Sequence, residues 1–131
     1  MYKVKFSGYA SVFNTKDYFD DIILPLSFLK NTKENIRLLY EHDLCKEIGF
    51  ITSTVQDEIG LYVEGIINTS EKKLIDLVFS NEYYGLSIGY IAKKYYYSGN
   101  IRIITELELI EVSLVLHPAN KHSCIKYKEL V

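Results

Sequence analysis

The chain has 131 residues, the size of one ordinary domain, and can bury a core without a disulfide or metal staple. Its 48% apolar content excludes a disordered tail, and a formal charge of −2 excludes nucleic-acid binding through a strong basic field. Cys45 and Cys124 have neither metal-ligand nor disulfide-framework spacing, which fits a reducing compartment, and no apolar run is long enough for a signal segment or a membrane span.

Alternation with a period of two dominates the chain, and its 12 tyrosines suit strands. Tyr2-Lys3-Val4-Lys5-Phe6 leads into a strand placed over Val4–Phe13. Asn14–Leu24 is polar and acidic and reads as a loop. Its Asp17, Asp20 and Asp21 match no cation-coordination spacing and read as solvated. Pro25 opens a short helix over Leu26–Lys30. Strands follow over Ile36–His42, Ile48–Val55 and Leu61–Ile67, the last two forming a hairpin around Gln56–Gly60. Ser70–Ser80 is the best helix, capped by Thr69 or Ser70, with Leu74, Leu77 and Val78 on one face. Tyr84–Tyr97 and Ile101–Leu116 form a long hairpin through the turn Ser98-Gly99-Asn100, and Cys124–Val131 adds a short last element. These elements predict a single domain over residues 1–131 of β-rich α+β class, a mostly antiparallel closed or nearly closed β-barrel with one or two helices.

Ser87 stands out within Gly85-Leu86-Ser87-Ile88-Gly89-Tyr90. Gly85, Ser87 and Gly89 share a strand face, so the hydroxyl is flanked by residues without side chains and a peptide backbone could come close. The same glycines could simply mark a bend. His42 closes its strand where strand gives way to loop, a place suited to proton transfer; His117 and His122 compete for that role. Glu111 shares a face with Leu107, Leu109, Ser113 and Val115. A carboxylate among apolar neighbours needs a partner, either a histidine whose tautomer it sets or a lysine or Arg37 in a structural ion pair. Counted from Gly99, Ser87 lies 12 residues before and Glu111 12 after, and such matched offsets, give or take a bulge, predict that the two come from adjacent strands of the hairpin. Ser113 reads as a buried structural hydroxyl. Cys45 is too close to His42 in sequence to assume a pair, and no phosphate or dinucleotide loop is present.

Read in order, the segments resemble a known family. They are Gly8-Tyr9-Ala10-Ser11-Val12-Phe13-Asn14, Ile23-Leu24-Pro25-Leu26-Ser27-Phe28, Leu39-Tyr40-Glu41-His42-Asp43, Ile48-Gly49, Gly60-Leu61-Tyr62-Val63-Glu64-Gly65, Gly85 through Tyr90, Glu111-Val112-Ser113-Leu114-Val115 and Pro118-Ala119-Asn120. Together they resemble the prohead proteases of tailed bacteriophages, whose fold is similar to the herpesvirus assemblin barrel. The resemblance implies a serine endopeptidase with His42 and Ser87 as catalytic residues and Glu111 orienting the histidine. It implies no cofactor or metal, and partners that are capsid or scaffold proteins rather than nucleic acid or membrane; self-association is left open. The implied place of action is the assembling prohead in the bacterial host cytoplasm. Two features depart from the family pattern. Leu26 and Ser27 stand where glycine and alanine are usual, and the sequence lacks the longer polar C-terminal extension of many relatives. A catalytically inactive homologue that serves capsid assembly or binds scaffold is the alternative reading.

Overall fold

The computed structural model describes residues 1–30 and 35–131. Its elements are β1 (Tyr2–Val12), β2 (Asp21–Ile23), β3 (Ile36–Tyr40), β4 (Asp43–Gln56), β5 (Gly60–Thr69), α1 (Lys72–Phe79), β6 (Gly85–Ser98), β7 (Ile101–Val115) and β8 (Ile125–Leu130). Alternation decides the strands. Val4, Phe6 and Ala10 of β1 are buried while Lys3 and Lys5 stay outside. On β5, Leu61, Val63 and Ile67 turn inward and Glu64 turns out. Phe6, Leu38, Ile67, Leu86, Ile104, Leu107 and Leu114 are among the largest fully buried side chains, and with Ile23 of β2 and Ile48 and Ile51 of β4 they form one core.

The strands form one sheet in the order β2-β7-β3-β4-β5-β1-β8, with β6 paired to β7. β7 is its hub. β6 follows it antiparallel from the Ser98–Ile101 pair to the Gly85–Val115 pair. On the other edge, β2 pairs in parallel at Arg102–Ile104, Phe28 bridges to Leu107, and β3 pairs in parallel at Val112–Leu114. At the hairpin tip Gly99 takes φ 61°, the conformation a type II′ turn asks of its first central residue.

The sheet is not closed into a barrel. Among the described residues, the β6 end meets the β8 side at the single bridge Gly85–Cys124. β8 pairs with β1 over Val4–Gly8, so the seam between β1 and β6 is unladdered past that point. The sheet is mostly antiparallel, as expected, with parallel strand pairings only where β2 and β3 meet β7 among the described residues.

Other expectations shift for local reasons. No helix forms over Leu26–Lys30. Pro25 and Leu26 make a turn, with Leu26 at φ 64°. Leu107 N–H then donates to Ser27 O at 2.8 Å and Leu29 N–H to Leu107 O at 2.9 Å. So short a segment cannot sustain helical bonds, and the open edge of β7 offers it a ladder. The same edge draws Asp21–Ile23 out of the expected loop into β2. In α1, Glu71 rather than Thr69 or Ser70 stands at the N-cap; Thr69 Oγ1 instead accepts from Glu71 N–H at 3.1 Å. The helix buries Leu74, Ile75 and Val78.

Candidate active site

The cross-strand register of β6 and β7 sets out half of the site. Ser87 lies opposite Ser113, and Gly89 opposite Glu111. On the far edge of β7, Leu39 lies beside Ser113 and Tyr40 beside Leu114. The chain leaving β3 therefore arrives next to both carboxylate and nucleophile candidates, and the next residues are Glu41 and His42.

Those two residues turn the chain into β4. Tyr40 pairs with Asp43, while Glu41 has φ 50° and His42 φ 59°. Positive φ at both central positions is the signature of a type I′ turn, which normally takes asparagine and glycine. Left-handed backbone costs a side-chain-bearing residue about 1–3 kcal/mol and persists only when its surroundings over-determine it. Three hydrogen bonds to β7 and its end do so here. Glu41 N–H donates to Leu114 O at 3.0 Å, Leu116 N–H donates to Glu41 Oε1 at 2.7 Å, and His42 N–H donates to Ser113 Oγ at 3.0 Å. His42 thus sits in the turn itself, two residues beyond the end of β3.

From the turn, the imidazole reaches two partners. His42 Nε2 lies 3.0 Å from Ser87 Oγ, and Nδ1 lies 2.5 Å from Glu111 Oε1. The Ser113 hydroxyl donates to the second carboxylate oxygen, Oε2, at 2.8 Å. Ser87 and Glu111 are 5% and 7% exposed, whereas the His42 side chain is 42% exposed. The hydrogen bond to Glu111 raises the imidazole pKa above its ordinary 6.5; burial opposes this, and the charges of Glu111 and Glu41 add to it. Arg37, the other partner considered for Glu111, pairs with Glu47 at 3.4 Å. The structure therefore brings His42, Ser87 and Glu111 together in one chain of contacts.

Gly85 and Gly89 do not clear a path to Ser87 for a peptide. A Cβ on Gly89 would strike the Glu111 carboxylate, and one on Gly85 would meet Val115 O and the Pro118 ring. The glycines make room for the protein's own groups, not for a peptide. Access to Ser87 comes instead from a pocket in the β1–β6 seam, lined by Ala10, Ser11 and Val12 on one side and by Leu86, Ile88 and Tyr90 on the other. The loop before β2 supplies Thr15, Asp17 and Phe19, and His42 and Ser87 stand at its wall. Asp21, expected to be solvated, is buried there: it accepts from Arg102 Nε at 2.8 Å, Arg102 NH2 at 2.9 Å and Tyr90 OH at 2.6 Å. Burial would raise its pKa, but these hydrogen bonds and the guanidinium charge hold it below the ordinary value.

Ser87 and Glu111 do lie on neighbouring strands, but they do not face each other. The hairpin turns about Gly99-Asn100 and carries irregularities at Gly89/Tyr90, Ala92/Lys94 and Lys94/Tyr95, so Glu111 stands two residues along from Ser87's partner. Ser113 is buried as expected, yet its hydroxyl is part of the site. Alternation placed it on the Glu111 face, but no pattern announces its bond to the turn amide of another strand. His117 and His122 are exposed on the β7–β8 connection, and Cys45 is exposed and free.

The chain is similar to known proteins over nearly its whole length. The family model of the caudovirus prohead serine protease matches residues 2–130. The chain is similar to the prohead protease of Enterobacteria phage HK97, 32% identical over 130 residues, covering 92% of this chain and 58% of that protein. It is also similar to the prohead protease of Escherichia phage T5, 31% identical over 128 residues, covering 92% of this chain and 60% of the relative. The chain thus spans about three fifths of the length of these curated relatives. Among solved structures, the protease of Kaposi's sarcoma-associated herpesvirus in complex with a hexapeptide phosphonate inhibitor superposes with a TM-score of 0.69 at 15% identity, over 98% of this chain and 65% of that one. The varicella-zoster virus protease gives 0.52 at 15% identity, over 82% and 57%. At such identity the structural likeness speaks for a shared herpesvirus-protease-like fold. The phage relatives and a family match running from the first strand to the last speak for descent, and on those grounds the chain belongs to the caudovirus prohead serine protease family.

Proposed function

We propose that the chain is a serine endopeptidase that works inside an assembling phage prohead, in the host cytoplasm, and cuts scaffold protein or a scaffold-like segment of the major capsid protein. One observation carries the reading: His42 stands 3.0 Å from Ser87 Oγ through Nε2 and 2.5 Å from Glu111 Oε1 through Nδ1. That is the order nucleophile, base, orienting acid required for acyl transfer.

In this scheme Glu111 accepts a hydrogen bond from Nδ1–H, which keeps the proton on Nδ1 and leaves the Nε2 lone pair free. Nε2 takes the Ser87 proton as Oγ attacks the scissile carbonyl, forming the new C–O bond. The imidazolium, stabilised by Glu111, then gives its proton to the leaving amine as the C–N bond breaks. Water repeats the cycle to release the acyl group. The raised affinity of His42 for a proton favours the first transfer, because the base must hold what it removes. The seam pocket beside Ser87 would receive the substrate, and an extended peptide there would meet edges of β1 and β6 that, among the described residues, have no strand partner past Gly8 and Leu86.

The test is incubation of the purified chain with the phage's own capsid and scaffold proteins, followed by mass spectrometry of the fragments. Wild type should yield discrete cleavage products, and a folded Ser87→Ala protein none. Full cleavage by folded Ser87→Ala would overturn the mechanism. Binding of capsid or scaffold without any cleavage would make the chain an inactive assembly protein. The same digest shows whether the chain cuts itself.

A further inference from the structure

Ser113 contributes more than packing. It is fully buried, with 0% of its surface exposed. A hydroxyl has one hydrogen to give and two lone pairs to accept with. Here the hydrogen goes to Glu111 Oε2 at 2.8 Å, and a lone pair accepts the His42 main-chain N–H at 3.0 Å. One atom therefore touches both members of the base–acid pair, each at a point the other does not control.

The two contacts have different consequences. With Nδ1 on Oε1 and Ser113 on Oε2, each carboxylate oxygen has a donor, so the carboxylate plane cannot rotate without breaking a bond. The amide of His42 lies in a turn whose φ of 59° is unfavourable for a side-chain-bearing residue, and Ser113 Oγ is the acceptor that holds it. A packing residue would need only the volume of the serine, whereas this arrangement needs its hydroxyl.

We propose that Ser113 is a positioning residue, whose hydroxyl fixes the Glu111 carboxylate and the His42 main chain in one arrangement and so aims Nε2 at Ser87. The inference rests on the serine-peptidase reading for its effect on turnover, but not for its effect on the His42–Glu111 pair. Ser113 never touches substrate. Its loss should lower kcat and leave KM nearly unchanged, because misplacement of a catalytic group by about 1 Å costs roughly 10²-fold.

The decisive comparison is between Ser113→Thr and Ser113→Val. The two substituents have nearly the same shape, so any steric burden in the buried site is shared, and they differ in the hydroxyl. Turnover of a peptide substrate should be higher by at least about tenfold in Thr than in Val, with KM within about twofold. Equal kcat values would overturn the proposal. Ser113→Ala, which adds no bulk, gives a second arm by NMR titration of the His42 ring. Glu111 and Glu41 are the charged groups acting on that ring, and a carboxylate freed to swing away lowers the imidazole midpoint toward 6.5. A midpoint in folded Ser113→Ala that is unchanged or raised would also overturn it. If wild type shows no Ser87-dependent cleavage, the peptidase reading fails while the titration still decides whether Ser113 holds the pair.

Discussion

Replacing Glu111 with glutamine tests the site with the smallest change of shape. The carboxylate takes a 2.5 Å bond from His42 Nδ1 on one oxygen and a 2.8 Å bond from Ser113 on the other. A glutamine amide must place its oxygen on one side and its NH2 on the other. Ser113 already accepts the His42 amide, and its hydrogen needs an acceptor. The amide oxygen therefore faces Ser113, and the NH2 faces Nδ1. Nδ1 must then accept, its proton moves to Nε2, and the imidazole can no longer take the Ser87 proton. A carboxylate-to-amide change that fixes the wrong tautomer lowers kcat by about 10⁴ in the serine-protease template, and a loss of that order is expected here. The pH profile should change as well. In wild type, the rise of kcat/KM with pH should centre above 6.5, because Glu111 raises the His42 pKa. In Glu111→Gln that cause is gone while burial remains, so the midpoint of the residual activity should fall. The assay is steady-state cleavage of a capsid-derived peptide across pH, with circular dichroism to verify folding. A folded Glu111→Gln protein within tenfold of wild type, with an unmoved midpoint, would show that Glu111 does not set the His42 tautomer.

Gly89→Ala should behave like a lesion of the acid without touching it: the added Cβ strikes the Glu111 carboxylate, so turnover should fall by about 10²-fold while the fold survives, as measured by the same assay and dichroism. Arg102→Ala should destabilise the domain by about 3 kcal/mol in urea unfolding, the low end for a broken buried pair, because the Arg102 side chain is 31% exposed while that of Asp21 is 7% exposed; a loss below about 1 kcal/mol would show Asp21 to be solvated after all. The raised His42 pKa also has a stability consequence. Its contribution is fully present below the unfolded value of 6.5 and is lost as pH rises through the folded value. Stability measured against pH should therefore decline across that window in wild type, and this decline should be absent in His42→Ala.

Local rules reach some features of this fold and not others. The long β6–β7 hairpin was legible because alternation and the turn at Ser98-Gly99-Asn100 are both short-range signals. Ser87 and Glu111 were legible as faces of strands, and His42 as a strand end, although the residue belongs to a turn whose type its sequence does not favour. The parallel additions of β2 and β3 to β7 were not legible. They depend on an empty strand edge far along the chain, and nothing within Asp21–Ile23 distinguishes a strand from an acidic loop. For the same reason Asp21 looked solvated: its partner Arg102 is 81 residues away. The open seam is not legible in the sequence, because alternation reports that strands pair and not whether the sheet closes on itself. The role of Ser113 lies beyond pattern altogether, since it depends on where the amide of His42 points.

The placement of β7 at the hub also sets a clock. β2 and Phe28 take their ladder partners from this one strand, and β3, already paired with β4, takes its second neighbour from it, so these contacts wait until residues 101–115 have been synthesised. Such distant pairings make folding slow. Glu111 and Ser113 arrive with the same strand, and His42 cannot be fixed in its turn before them. On the proposed reading, a ribosome-bound chain that already displays Ser87 therefore has no oriented base. In the proposed mechanism, competence comes only once β7 is in place, and the chain would pass from harmless to armed in the act of finishing its sheet.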